Sequence, residues 1–477
     1  MRSSKELCSL PKETFDLVIA ANRLPVDRVV HPDGEVEWRR SPGGLVTAME
    51  SVMRGRDGAW IGWSGDPGEA PEPFREDDMQ LHPVPLSADE VSDYYEGFSN
   101  GSLWPLYHDV IVQPTFKRRW RAAYERINKR FADAAADLAA EGGTVWVQDY
   151  QLQEMPAMLR AQRPDLRLGW FNHIPFPPVE LFMQLPARES LLHGLLGADF
   201  LGFQRKADAY NFLNACRQLL AASVKGDVVR LPDGHATRAA AVPISIDAQA
   251  MADLATTPGV KARAAEIREQ LGNPEHLMLG VDRLDYTKGI RHRLKAVGEL
   301  YQEGALDPAT TKFIQVATPS RERLEAYQHI RSQVERTVGQ INGDHSPIGA
   351  PAVTYLHRSF PREEMAALFL AADVMLVTPL RDGMNLVAKE YIAAHDGTGA
   401  LVLSEFTGAA SELKQAYLTN PHDISALKQS IMNAIQAPPD VLARRMRAMR
   451  RQVMTHDVQR WAEDFLTNLA AAPERPR

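Results

Sequence analysis

Two short stretches in the second half of the chain hold the residue types that grip a nucleotide diphosphate. In DVMLVTPLRDGMNLVAKEYIAAH (373–395) an apolar run stops at a tight Arg381-Asp382-Gly383 turn, and a helix starts near Met384. Such a turn aims the free N–H groups of Met384, Asn385 and Leu386 beyond the carboxyl end of the strand, where a helix start favours an anion. Glu390 lies about 9 Å further along that helix at 1.5 Å per residue, a reach that lets a carboxylate hold ribose hydroxyls while the helix start holds phosphates. In HLMLGVDRLDYTKGI (276–290) a second apolar run ends at Asp282-Arg283, and Lys288-Gly289 opens another helix. Arg283 and Lys288 would together neutralise a leaving diphosphate through charge-assisted hydrogen bonds, without a metal. Each has a plainer alternative: Glu390 as a solvated helix residue, Arg283 as a surface ion pair with Asp285.

The first half holds a complementary set. Arg23 follows an apolar run in AANRLP, Gly43-Gly44 opens a helix in SPGGLVTAME, Trp63 stands in IGWSG, and Tyr94, Tyr95 and Trp104 fall in DYYEGFSNGSLWP. Flat aromatic faces near an arginine and a diglycine suit a sugar phosphate, with apolar surface for the ring and donors for hydroxyls and phosphate. Asp149 in VWVQDYQL and His173 in GWFNHIPFPP each terminate an apolar run, where open α/β sheets place their ligands. The plainer alternatives are a core role for Trp63 and a turn-pinning role for His173.

These residues need a scaffold that delivers strand ends to one place. Candidate strands are FDLVIAA (15–21), TVWVQ (144–148), RLGWF (167–171), DFLGF (199–203), HLMLGVD (276–282), KFIQVA (312–317) and DVMLVTP (373–379). They lack in/out alternation, as strands covered on both faces do. Between them, stretches such as 116–141 and 321–340 carry apolar residues at three- and four-residue spacing, the period of amphipathic helices. This is the pattern of βα units on parallel sheets. The series breaks around Ala241-Val242-Pro243-Ile244 and resumes at His276, after a helix over 258–271. The reading is an α/β fold of two Rossmann-like domains, residues 1–242 and 243–456. The Pro- and acid-rich segment 66–80 reads as a surface loop, and AAAPERPR at the end as a frayed tail.

Composition limits the ligands. The 477 residues, 44% hydrophobic and 24% charged, suffice for two or three domains. A net charge of −7 argues against general attraction to nucleic acid or an anionic membrane, so an anionic ligand must meet a local cluster of Arg and Lys. Cys8 and Cys216 are too few for a disulfide scaffold and lack the spacing of a structural zinc site, as suits a reducing compartment. The apolar stretch from Phe15 to Ala21 is too short for a signal-peptide core, and no run of about 18 apolar residues occurs, so a cytoplasmic protein is expected. GxGxxG after a strand, GxxxxGK[ST], GxSxG and HExxH are all missing, which removes the phosphate cradles of nicotinamide and P-loop sites and two hydrolase motifs.

The segments ANRLP, SPGGL, WIGWSG, YYEGFSNGSLWPL, VQDYQL, HIPFP, GVDRLDYTKGI, TPSR, LVTPLRDGMNLVAKEY and LSEFTGAA together resemble the trehalose-6-phosphate synthase family, in order from Arg23 to about Glu412. The resemblance implies a GT-B glycosyltransferase fold, two Rossmann-like domains facing a central cleft, with a last helix over 457–477 packing back on the first. It implies a retaining transfer of glucose from UDP- or GDP-glucose to glucose 6-phosphate, giving α,α-trehalose 6-phosphate and nucleotide diphosphate. Carried onto this sequence, it assigns the donor diphosphate to Arg283 and Lys288, the donor sugar to Asp382 with the backbone of Met384, Asn385 and Leu386, and the ribose to Glu390, with Gly44 and His173 also on the donor side. The glucose 6-phosphate falls to Arg23, Trp63, Tyr95, Trp104, Asp149 and Arg321. Catalysis falls to Arg283, Lys288, Asp149, His173 and Asp382. AANR where SNR is common and QDYQL where HDYHL is common alter neighbours of Arg23 and Asp149, not those residues themselves.

No cofactor and no obligatory metal are expected. The expected partners are the two small-molecule substrates and a separate phosphatase acting on the product, with neither nucleic acid nor membrane; a homo-oligomer stays open, as does the nucleotide base. Three rivals remain: a phosphorylase with pyridoxal phosphate on a lysine, a silent sugar-phosphate sensor, and a synthase using another acceptor such as glycerol 3-phosphate.

Overall fold

The strand Phe15–Arg23 buries every residue except Asp16 and, in part, Arg23, so it has protein on both faces and must sit in the middle of a sheet. A computed structural model describes residues 13–473 apart from 32, 34, 42–45, 47–48, 50–52, 54–57 and 77–78. Cys8, Gly43, Gly44 and the last four residues thus lie outside the described residues.

Among the described residues, ten strands form the first sheet, in the order Ser223–Lys225, Val228–Arg230, Ala236–Ala241, Phe200–Phe203, Arg167–Phe171, Ala139–Gln148, Phe15–Arg23, Gly58–Trp63, Met79–Pro83 and Phe74–Glu76. Its centre is parallel, and antiparallel pairs close both edges. Six parallel strands form the second, in the order Val353–Leu356, Thr311–Thr318, His276–Arg283, Val374–Val377, Ala400–Ser404 and Tyr417–Thr419.

Within the parallel part of each sheet the strand order reverses at one point. In the first it reverses between Phe15–Arg23 and Ala139–Gln148, whose carboxyl ends are Arg23 and the residue before Asp149. In the second it reverses between His276–Arg283 and Val374–Val377, whose carboxyl ends lead into Arg283 and the Thr378–Asp382 loop. Open α/β sheets leave a crevice at such points.

A buried polar network fixes the second one. Arg293, fully buried on helix Ile290–Gln302, donates to Asp282 at 2.6 Å, Gln315 at 2.8 Å and Thr378 at 3.0 Å, tying together three neighbouring strands. Gly280 faces it, where a Cβ would run into the guanidinium.

The chain crosses between the sheets twice. On the first crossing the Ile244 N–H donates to Gln204 at 3.0 Å and the Ile244 carbonyl accepts from Lys389 at 2.8 Å. On the second, Val458 N–H donates to the Ile246 carbonyl, and helix Val458–Ala470 lays Trp461 and Phe465 against Trp146, Phe171 and Phe200 of the first sheet.

Some elements differ from those read in the sequence. The segment 66–80, expected to be a loop, contains the edge strand Phe74–Glu76 and the start of Met79–Pro83: Phe74 stacks on Trp38 at 4.7 Å, and an edge strand tolerates the charges and prolines around it. The strand expected over 144–148 begins at Ala139. The helix expected near Met384 begins at Leu386, because Asn385 adopts a left-handed conformation (φ 81°) and its side chain caps the first turn by accepting from Ala388 N–H.

Candidate active site

On the second-domain side, Gly289 (φ 66°) starts helix Ile290–Gln302. A Cβ there would strike the Thr378 carbonyl, so glycine lets the loop of Lys288 touch the loop of Asp382. Lys288 Nζ donates to Asp382 Oδ2 at 2.7 Å, and Asn385 Nδ2 donates to the same oxygen at 3.1 Å. Burial pushes the Asp382 carboxyl up, but the Lys288 ammonium outweighs it and holds the group below the usual carboxylate range. Arg283 is exposed and makes no ion pair or hydrogen bond with the described residues; its guanidinium lies 5.1 Å from the ring centre of Trp104, across the domain boundary. The amides of Met384, Asn385 and Leu386 meet no backbone acceptor among the described residues. Glu390 faces Arg362; burial raises its carboxyl and Arg362 opposes the rise.

On the first-domain side, Arg23 donates to Asp27 at 2.8 Å and lies over the Trp63 ring at 5.1 Å, and Trp63 in turn meets Tyr95 at 6.0 Å. Gly65 makes the room, since a Cβ there would strike the Arg23 guanidinium. Tyr95 comes from a π-helix, Val91–Leu103, whose neighbouring Tyr94 turns inward and donates to Asn22 at 2.9 Å.

Trp104 joins the two sides. Its indole carries the Arg321 guanidinium at 3.8 Å, and rests against His108 at 4.1 Å and Tyr150 at 5.7 Å. Arg321, held at φ 49°, donates to Tyr150 of the first domain at 3.0 Å and to Tyr327 of its own domain at 2.6 Å. Asp285 lies 3.5 Å from Arg321 and accepts from Tyr327 and from Thr287 N–H. Burial pushes the Asp285 carboxyl up, but Arg321, Arg283 and Lys288 outweigh it and bring it down to about 2.

Asp149 (φ 71°) accepts the His173 N–H at 3.0 Å. Burial lifts its carboxyl to about 7, against the His173 and Tyr150 amides and the charges of Arg321 and Arg283. The His173 ring pairs with Gln148 at 2.9 Å, and burial lowers its imidazole to about 3, so it is neutral. Four buried donors of the candidate site, Arg23 Nε, Trp104 Nε1, Gln148 Nε2 and Arg321 Nε, have no hydrogen-bond acceptor among the described residues. Such a concentration of unsatisfied donors is uncommon outside functional sites.

The structure thus brings Trp104, Arg283 and Arg321 into contact, and Lys288 with Asp382. Arg23, Trp63 and Tyr95 form a separate cluster. Gly44 lies outside the described residues. The partner of Asp285 is Arg321, not Arg283. Tyr150, Tyr327 and His108 were not picked out from the sequence; Tyr150 alone had a local signal, its place beside Asp149 at a strand end. Among the described residues, no cluster of His, Cys, Asp or Glu could hold a metal ion, and no helix is long and apolar enough to cross a membrane.

The sequence pattern of glycosyltransferase family 20 matches residues 16–471. A trehalose-6-phosphate synthase of Mycolicibacterium gilvum (strain PYR-GCK) is 56% identical over 486 residues, covering 99% of this chain and 97% of the relative. That of Mycobacterium marinum (strain ATCC BAA-535 / M) is 56% identical over 468 residues, covering 95% and 94%. An α,α-trehalose-phosphate synthase (UDP-forming) from Burkholderia xenovorans, solved in complex with glucose-6-phosphate, superposes with a TM-score of 0.87 at 33% identity, over 95% of this chain and 99% of its own. A structure from E. coli bound with UDP-2-fluoro glucose does so with a TM-score of 0.87 at 33% identity, over 97% and 100%.

Proposed function

The chain belongs to glycosyltransferase family 20, and from that premise we propose that it transfers glucose from UDP- or GDP-glucose to glucose 6-phosphate, forming α,α-trehalose 6-phosphate and free nucleotide diphosphate. It is a glycosyltransferase of the GT-B fold. The observation that carries the finer reading is the meeting of both switch points at Trp104, where the cations Arg283 and Arg321 lie on one indole of the opposite domain. The relatives' names and the two ligands of the solved neighbours, a UDP-glucose analogue and glucose-6-phosphate, favour the same substrates and a uridine donor.

In this reading Arg283 and Lys288 take up the charge that develops on the leaving diphosphate. Asp382, kept ionised and anchored by Lys288 and Asn385, orients the donor sugar as an acceptor of its hydroxyl protons. Arg23 and Arg321 hold the acceptor phosphate. The glucosyl bond to the diphosphate breaks and the bond to the acceptor's anomeric oxygen forms on the same face, while the departing phosphate oxygen takes the acceptor proton. Neutral His173 and Asp149 line the reacting sugars. No metal or cofactor enters this scheme, and the product passes to a separate phosphatase.

Incubating the protein with glucose 6-phosphate and each of UDP-, GDP- and ADP-glucose, and following nucleotide diphosphate and trehalose 6-phosphate, tests the reading. Release from UDP- or GDP-glucose that depends on glucose 6-phosphate is the expected result. Release without it, or transfer only to another acceptor, overturns it.

A further inference from the structure

Arg381 stands next to Asp382 in the sequence, yet its side chain crosses into the first domain. Its Nε lies 3.0 Å from Asp109 Oδ2 and its Nη2 3.6 Å from Asp208 Oδ1. Asp208 is already occupied: Arg205 donates to both of its oxygens at 3.1 Å, and Phe176 N–H to one of them at 3.4 Å. Without Asp109, two guanidiniums would share one fully buried carboxylate. With it, the four charges cancel.

Asp109 is offered to Arg381 at a conformational cost. Asp109 and Val110 both have left-handed backbones, φ 56° and 57°, and for a β-branched residue that is a strained conformation. The strained turn is held by Val110 N–H to the Pro105 carbonyl at 2.9 Å and Ile111 N–H to the His108 carbonyl at 3.3 Å, so it is one piece with the segment carrying Trp104. Asp109 has no need of a partner for its own solvation, since 43% of its side chain is exposed, whereas none of Asp208 is.

We propose that Arg381 and Asp109 form an electrostatic latch that keeps the two domains docked and thereby sets the Asp382 turn against the Trp104 segment. Both are positioning residues. The proposal rests on the reading above, because glucosyl transfer is the step that docking serves. It also makes an asymmetric demand. Losing Arg381 leaves Asp109 to solvent and the Arg205–Asp208 pair intact, whereas losing the Asp109 charge leaves two cations on one buried carboxylate.

The test uses Asp109→Asn, Arg381→Gln and the double variant in the full chain, with the ligand-free radius of gyration from small-angle scattering and kcat for nucleotide diphosphate release. Asn tolerates a positive φ, so the turn survives Asp109→Asn. The expected order is a larger radius and about tenfold lower kcat in Asp109→Asn, a smaller change in Arg381→Gln, and recovery of several-fold in the double variant relative to Asp109→Asn. Two residues acting independently of each other would make the losses add. Additive losses, or an unchanged radius in both single variants, overturn the latch. The scattering order needs no turnover, so a parent protein inactive with every donor would refute the functional reading while the latch is still decided; an active parent with additive variants refutes the latch alone.

Discussion

At the scale of single residues, Arg283 and Lys288 differ in a way that their shared sequence motif hides. Arg283 is exposed and unpaired among the described residues, so Arg283→Ala is expected to lower kcat by about 10²–10³-fold and leave the melting temperature unchanged. Lys288 is the counter-ion of buried Asp382, so Lys288→Ala is expected to lose a similar rate and also stability, because it strands a carboxylate. Melting curves beside steady-state rates separate the two. Asp149 carries a pH signature. Its folded-state carboxyl titrates near 7, above the 3.8 of an unfolded aspartate, so the folded state binds the extra proton between those values. Stability from this group is therefore complete below pH 4 and lost as pH rises through 7. Asp149→Asn, which suits φ 71° and keeps an oxygen for the His173 amide, is expected to abolish transfer. It is also expected to gain stability over the parent by about 4 kcal/mol at pH 8 relative to pH 4, read from denaturant midpoints. An equal difference at both pH values would contradict the shifted carboxyl.

At the scale of elements, three strands in the second sheet depend on one side chain. Arg293→Ala would leave Asp282 buried without its cation and Gln315 and Thr378 without their donor, at a cost of about 3–5 kcal/mol. Urea unfolding is expected to show that loss, and donor affinity to fall with it, since the Arg283 and Asp382 loops spring from the same strand ends. The central strands were legible in the sequence because burial on both faces leaves an unbroken apolar run, as in RLGWF over 167–171, where sequence and structure agree to the residue. Edge strands were not: Phe74–Glu76 is three residues of mixed polarity that takes its order from the Trp38 ring and its neighbour strand. Asp149, Arg283 and Asp382 could be singled out because a polar residue ending an apolar run is a local signal. Asp109, Asp208 and Tyr327 carry no such mark, since their roles arise from groups far away in sequence, as with Arg381 against Asp109.

At the scale of the whole molecule, the two domains meet so closely that one position admits no side chain. A Cβ on Gly383 would run into the His173 carbonyl and approach the Ile174 backbone, neither of which can yield as a flexible side chain would. Gly383→Ala is therefore expected to fold both sheets, with unchanged far-ultraviolet circular dichroism, but to hold the domains apart and lower kcat by about a hundredfold, the scale of a displacement near 1 Å at reacting groups. Retained activity would show that the two loops need not touch. The helix Val458–Ala470 carries a further consequence, for synthesis on the ribosome. The first sheet has all its described strands by Ala241, but part of the cover of Trp146, Phe171 and Phe200 comes from a helix made after the entire second domain. At about 5–20 residues per second the nascent first domain is without that part of its cover for roughly 10–50 s. Apolar surface left open in this way is what makes a partly made chain prone to association until Trp461 and Phe465 arrive.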